Sequence, residues 1–392
     1  MIISKRSVTL ILVSIIISNT VGMSIYSYLP PYLVRIGTNR SIIQLIISII
    51  PLTAFLFPPL VGRISYKVQN RYYFIIFGTI GVIFTFFLLI FLQNLIFITI
   101  FLFIFGFSNA CYGMITILYQ EIVENDPHYI SYLNSMIVVG WFIGAQFGGI
   151  FVELLGINNI FHFFFWISLI NIIFVLFLKE NRNIIIQRYN ENNNVEISFQ
   201  EPDKKRKEEP ISKSIYIALF FRNFGLRPII SVLAILIAFH LTSNTEIGFL
   251  IGVNPLVQIF LTLIIGRLIN KNNLKIIMII GYLLSAITIL GYLISIDFFG
   301  FLIYQIIISF SYAMFWNASV IYIAQKTTPI NKGKYIGYAN SSFYLGSFIG
   351  GLFFSSLLIF NPDYYIVGIP MIIFPIVSVL SISLKFREKN NI

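Results

Sequence analysis

Charge is what this chain has least of. Only 10% of its 392 residues are Asp, Glu, Lys or Arg, and 58% are hydrophobic; a soluble domain carries roughly 25% charge. Mean hydropathy is +0.89. So little polar surface cannot cover the apolar side chains in water, which excludes an ordinary soluble enzyme or binding module and leaves the bilayer as solvent. Cysteine is nearly absent too. Cys111 stands alone, so neither an intramolecular disulfide nor a cysteine-based metal cage can form. The three histidines, His128, His162 and His240, are far apart and lack metal-site spacing. The chain has no G-x-x-x-x-G-K-(S/T) loop, and its apolar runs hold no paired carboxylates and no nucleophile elbow. We therefore expect no enzyme activity, no cofactor and no metal.

What is present is a series of long apolar runs. Ile75 to Leu92, Ile160 to Leu178 and Ile276 to Ile296 are unbroken and about 20 residues long, the length of a membrane-crossing helix, whereas barrel strands run about 10 and alternate. Backbone polar groups in hydrocarbon must be satisfied internally, and these lengths select helices. Twelve blocks are expected, near 8–34, 41–66, 72–93, 95–120, 129–154, 158–179, 214–241, 246–270, 275–296, 298–325, 334–359 and 364–385. The first is too long for a signal-peptide core and is read as a retained helix. Neither end shows a lipidation signal. The expected fold is an all-α polytopic membrane protein with twelve transmembrane helices in two pseudo-symmetric six-helix bundles. Residues 1–180 form the first, 181–213 a linker and 214–392 the second.

The net charge of +11 would suit nucleic acid if it formed one patch. It is sorted by side instead. Lys5, Arg6, Arg63, Lys67, Arg71, the cluster Lys204 to Lys207, Arg267, Lys271, Lys326 and Arg387 fall on one side of the twelve spans, and only Arg35 and Arg40 fall on the other. Positive charge marks the cytoplasmic side. Both termini and the linker are thus expected in the cytoplasm of a cell whose plasma membrane the chain crosses, with the lipid bilayer as partner and no nucleic acid. The linker, with its asparagine run Asn192 to Asn194 and its mixed-charge stretch Asp203 to Glu209, reads as a solvated connector.

The chain also repeats itself. Pro51-Leu52, Gly62-Arg63-Ile64 and Lys67 reappear 204 residues later as Pro255-Leu256, Gly266-Arg267-Leu268 and Lys271. At an offset of 206, Tyr129-Ile130-Ser131-Tyr132-Leu133-Asn134-Ser135 matches Tyr335-Ile336-Gly337-Tyr338-Ala339-Asn340-Ser341, and the match continues through Gly140 to Gly346 and Gly144 to Gly350. An even number of spans per copy keeps both copies in the same orientation, which is the parallel-repeat plan of secondary transporters.

Gly62 to Arg71 reads Gly-Arg-Ile-Ser-Tyr-Lys-Val-Gln-Asn-Arg. It resembles the loop between helices 2 and 3 of the major facilitator superfamily, G-x-L-(A/S)-D-R-x-G-R-(R/K), with Tyr66 at the acidic position and Gln69 at the second glycine. Gly266, Arg267 and Lys271 repeat the pattern, with Asn270 at the acidic position. The resemblance makes these loops a latch for one state of alternating access. Glu121, at the end of helix 4, is the expected substitute partner for Arg63 or Arg71. In helix 5, Gly140, Gly144, Gly148 and Gly149 resemble the motif of family members that exchange or export solutes. Glycines four apart also make a smooth face for helix packing, as do Gly346 and Gly350 in helix 11. Drug exporters of the family carry an arginine in helix 4, and the stretch Leu102 to Gly106 has none.

The resemblance implies that helices 1, 4, 7 and 10 line a central cavity and that helices 3, 6, 9 and 12 face lipid. The polar residues fit that plan. Asn19, Gly22 and Tyr26 share one face of helix 1, and Asn109, Tyr112 and Thr116 one face of helix 4. Helix 7 offers Asn223 and Arg227; helix 10 offers Gln305, Ser309, Tyr312 and Trp316; Asn254, Gln258, Asn340 and Tyr344 flank them on helices 8 and 11. Arginine at a helix centre costs about 2.5 to 3.5 kcal/mol on insertion scales and serves a pathway. Arg227 is therefore expected to face the cavity and either bind an anionic group or act as a switchable charge, while Arg222 is expected to reach for the cytoplasmic surface. The function expected is secondary active transport of a small organic solute, as an exporter or antiporter coupled to a proton or ion. Uptake or uniport of sugars or organic anions is the alternative. A membrane sensor or lipid scramblase is the reading from another class, and a sensor would need a signalling domain that the 33-residue linker cannot supply.

Overall fold

The computed structural model describes residues 5–68, 70–123, 127–178, 211–270, 272–327 and 329–386. Twelve helical segments cross the molecule. They are α1 (Lys5–Arg35), α2 (Arg40–Ile47 and Ile49–Val68), α3 (Arg71–Phe91), α4 (Leu95–Tyr112 and Met114–Ile122), α5 (Pro127–Leu155) and α6 (Ile160–Leu176). The second set is α7 (Lys213–Ser231 and Leu233–Ala238), α8 (Asn244–Leu268), α9 (Leu274–Ile294), α10 (Phe298–Lys326), α11 (Pro329–Phe360) and α12 (Tyr364–Gly368 and Ile373–Lys385, bridged by the 3₁₀ turn Ile369–Ile372). Most of the expected linker, 181–210, lies outside the described residues, as does Lys271.

Polar side chains start the helices where the apolar runs begin. Asn70 accepts from the Tyr73 N–H, Asn94 from Phe97, Asp297 from Gly300 and Asp363 from Tyr365, so orphan donors at helix starts are satisfied next to the membrane boundary. Gly37 and Gly156 take positive φ, 78° and 81°, in the turns after α1 and α5, where a Cβ would be strained.

Eleven of these segments are long and apolar enough to span a membrane. The twelfth expected block, α7, is the exception. Arg222 and Arg227 interrupt its apolar run and its helix breaks at Val232, yet most residues from Ser214 to Ile237 are buried. It is enclosed by protein where the other helices meet lipid.

The two sets of six pack alike. α1 lies on α5 and α6 as α7 lies on α11 and α12; α4 joins α2 and α3 as α10 joins α8 and α9. The sets meet through α5 against α8 and α2 against α11. Exposed apolar stripes run down α3 (Phe77, Ile80, Phe84, Phe87, Phe91), α6 (Trp166, Ile170, Ile173), α9 (Ile276, Leu283, Leu290, Ile294) and α12 (Ile366, Ile369, Ile373, Leu380). A three-and-four spacing of exposed hydrophobes is a lipid-facing surface. α1 and α7 expose little beyond their ends and stand in the middle.

Glycines allow the close crossings. A Cβ at Gly144 would lie 2.3 Å from the Thr20 carbonyl oxygen, and one at Gly350 would lie 2.2 Å from that of Phe224. Gly140, Gly148 and Gly346 are used in the same way, against Ile16, Tyr28 and Phe220, while Gly149 meets Gly248 across the two sets. α1 hydroxyls then reach α5 carbonyls: Ser24 donates to Gly144 at 2.7 Å and Tyr28 to Ala145 at 2.7 Å. Every glycine of the helix 5 motif is thus occupied by packing.

Candidate functional site between the halves

The face with few charges is shut by contacts between the halves. Arg40 donates to the Pro362 carbonyl and lies over the rings of Phe239 and Tyr364, at 5.5 and 5.0 Å. Ser231 donates to Gln44 at 2.9 Å and Ser355 to the Ser41 carbonyl at 2.8 Å. The Glu153 carboxylate accepts from the Asn244 and Thr245 N–H groups at the start of α8, where the helix dipole favours an anion. Toward the basic face the halves separate. α11 touches α2 at Gly351 and Ser48, but Gly62 and Gly337, fourteen residues further along both helices, face open space.

The cleft narrows to a closed end at mid-depth. There Tyr26, Ser27, Asn254, Tyr292 and Gln305 stand with Met23, Ile230, Leu233, Ala234 and Ile251 around a small cavity. The Ser309 hydroxyl donates to the Asn254 carbonyl oxygens at 3.0 and 3.1 Å, fixing that side chain. On the basic side of this cavity lies Arg227, only partly buried. Its guanidinium is 4.9 Å from the Phe343 ring and 5.9 Å from that of Tyr26, one ring from each half. Tyr312 and Tyr344 are within electrostatic reach of it. Tyr312 stacks on Trp316 at 6.0 Å, and Trp316 meets Phe343 edge-on at 6.0 Å. The result is a cation caged by rings at the junction of α1, α7, α10 and α11.

Of the residues expected at a central site, Tyr26, Asn254 and Gln305 line this cavity, while Arg227, Tyr312, Trp316 and Tyr344 belong to the cluster of rings beside it, which Tyr26 joins to the cavity. The other residues expected there do not line this cavity. Asn223 is buried at 0% exposure, donates to the Leu219 carbonyl and accepts from Arg222; it points into the second bundle because it follows Arg222 there. Tyr112 is also turned inward, 2.8 Å from Ser14, and borders a cavity inside the first bundle rather than the cleft. Asn19 accepts from Trp141 of α5 at 3.0 Å and donates to Ile15. Thr116 bonds the Gly113 carbonyl of its own helix. Gly22 leaves space open in front of it, Gln258 is buried in α8, and Asn109 and Asn340 are exposed.

Arg222 does not reach the surface. It is 2% exposed and held inside α7, α9 and α10, because Ser285 and Phe315 receive its guanidinium at a shorter reach than the basic face. Phe343, Tyr292 and the burial of Arg222 were not legible in the sequence. No spacing rule distinguishes these aromatic residues among the 22 Tyr and 41 Phe of the chain.

At the basic ends the two loops differ. Arg71 forks its Nε to both Glu121 carboxylate oxygens at 2.8 Å and its Nη1 to Ser65 at 3.1 Å. Arg63 and Lys67 are exposed. In the second loop an asparagine pair does the closing: Asn270 and Asn273 bond each other's backbone and Asn273 reaches the Leu268 carbonyl at 2.8 Å. Gly266 approaches Asn317, and Arg267 is exposed.

Two bundles of equal plan, an exposed apolar rim and a cleft between them are the architecture of a membrane transporter. The sequence matches the MFS_1 like family over residues 15–361, and the chain belongs to that family. No curated protein matches it. Among solved structures, the nucleoside transporter NupG is similar at a TM-score of 0.79 and 14% identity, covering 98% of this chain and 100% of that one. The human organic anion transporter MFSD10 (TETRAN) is similar at 0.65 and 15%, covering 96% and 99%. A POT family transporter in complex with 5-aminolevulinic acid is similar at 0.75 and 12%, covering 97% and 96%. At these identities the likeness is one of fold.

Proposed function

We propose that this chain is a secondary carrier of a small organic anion, bound at mid-depth between the halves and moved as they rock between opposite openings. The observation that carries the substrate class is charge balance. Arg227 stands in the cleft, while the acidic side chains among the described residues, Glu121, Glu153, Glu246, Asp297 and Asp363, all lie at helix ends. A cation in a low-dielectric interior without a carboxylate takes its counter-charge from what enters the cavity. Phe343, Tyr312 and Trp316 offer flat apolar faces to the organic part, and Asn254 and Gln305 offer amides that orient it.

The same inventory leaves no described carboxylate at membrane depth to ferry a coupling proton, which favours exchange of one anion for another. Export is the direction to which the α5 resemblance points, from a plasma membrane with both termini in the cytoplasm. The Arg71–Glu121 pair and the asparagine turn would serve as gating loops at the basic face. The test is thermal stabilisation of the purified protein across organic anions, sugars, amino acids and amphipathic cations. Anions alone should stabilise it, and Arg227→Gln should abolish the response; stabilisation by a neutral sugar that survives the substitution would refute the anion reading.

A further inference from the structure

Five residues before Arg227, the helical turn points Arg222 away from the cleft and into the second bundle. Its Nε donates to Ser285 at 3.0 Å and its Nη1 to Asn223 Oδ1 at 3.0 Å, with Cζ 4.3 Å from the Phe315 ring centroid. A guanidinium has five N–H donors. Nη2 bonds no described residue, and no described carboxylate is within ion-pair distance.

The neighbours do not make up the deficit. Ser285 and Ser311 lie 2.6 Å apart and both reach the Gly281 carbonyl, so their protons are used between them and that oxygen. Tyr292 is fully buried, interacts electrostatically with Arg222, and its hydroxyl has no hydrogen-bond partner among the described residues. A buried full charge and a buried unpaired donor both cost free energy until an acceptor is supplied. The place therefore has donors in surplus and lacks negative charge.

The duplication shows what the same position holds in the other half. Gly140 and Gly144 sit on Ile16 and Thr20 as Gly346 and Gly350 sit on Phe220 and Phe224, which aligns Ser18 with Arg222 and Asn19 with Asn223. Around Ser18 the first bundle leaves a narrow gap lined by Thr79, Asn109, Tyr112 and Asn171. In the second bundle the Arg222 side chain enters the matching space.

We infer that Arg222 holds a small inorganic anion of halide size inside the second bundle, between α7, α9 and α10. The ion neutralises Arg222 where it stands and travels with its half, so Arg227 alone presents net charge to the cleft. This site is independent of the organic-anion reading and stands or falls by its own test.

The test is the unfolding midpoint of the purified protein, titrated from sodium sulfate, whose anion is larger than a halide and inorganic, into chloride or bromide at constant ionic strength. The midpoint should rise saturably with either halide, by about 5 °C at a hundredfold excess over Kd. Arg222→Met should remove the rise and Arg227→Gln should keep it. If Arg222→Met does not fold, the anomalous signal of bromide in wild-type crystals decides, and a peak beside the Arg222 guanidinium is expected. A midpoint indifferent to halide, a response that survives Arg222→Met or disappears in Arg227→Gln, or bromide bound elsewhere overturns the inference. So does stabilisation by organic anions alone, which would put the counter-charge in the substrate.

Discussion

The first bundle carries no arginine at membrane depth, and the second carries two on one helix. Both halves nonetheless share helix order, glycine crossings and even the asparagine that bonds four residues back, Asn19 to Ile15 and Asn223 to Leu219. The scaffold tolerates this difference because α7 is enclosed by its neighbours, so the charges meet serine, asparagine and aromatic faces instead of lipid. The buried and half-buried cations at membrane depth are thereby confined to one half, and the other half supplies Tyr26 beside them.

The comparison breaks most severely at the shared crossings. Gly144→Leu and Gly350→Leu drive side-chain atoms into the backbone of α1 and α7, and each should destabilise the protein by about 3 kcal/mol or more, read as lost folded yield and a lowered unfolding midpoint. Gly337→Ala, which faces open space, is the control and should change stability by less than about 1 kcal/mol. Next in size, Arg227→Gln should weaken binding of the organic anion about 100-fold, equivalent to about 3 kcal/mol, with the fold intact by circular dichroism.

Arg40→Ala removes the carbonyl bond and both ring contacts of the closed face, worth roughly 1 to 2 kcal/mol in favour of the present state. Spin labels at positions 62 and 337 should then report a shorter distance in a larger fraction of molecules. An unchanged distribution would mean that the seam is held elsewhere. Smallest of all, Glu121→Gln should cost about 1 kcal/mol by loosening Arg71, because that pair is partly solvated. Its effect on the second loop should be nil, since Asn270 and Asn273 close that loop without charge.

Much of this architecture was legible in the chain itself. Apolar run length shows the spans, the 204-residue repeat shows the duplication, and a lone arginine amid apolar residues singled out Arg227. Helical spacing shows which residues share a face, but it does not show what that face meets. Tyr112 and Asn223 were therefore misplaced, since their faces turn into a bundle instead of the cleft. By sequence alone Arg222 is a surface-seeking cation, because nothing there shows Ser285 and Phe315, more than sixty residues away, waiting beside it. The break at Val232 was hidden for a related reason: α7 is held by surrounding helices and does not depend on an unbroken apolar run.

If Arg227 draws an organic anion into the cleft, only a carrier motion can empty it. Counterflow measures that motion most directly. Liposomes bearing the purified protein are preloaded with an anion that stabilises it, and labelled anion is added outside. The account predicts saturable uptake that transiently overshoots equilibrium in the wild type and is absent in Arg227→Gln. Flux that neither saturates nor overshoots, or that Arg227→Gln leaves unchanged, would contradict it.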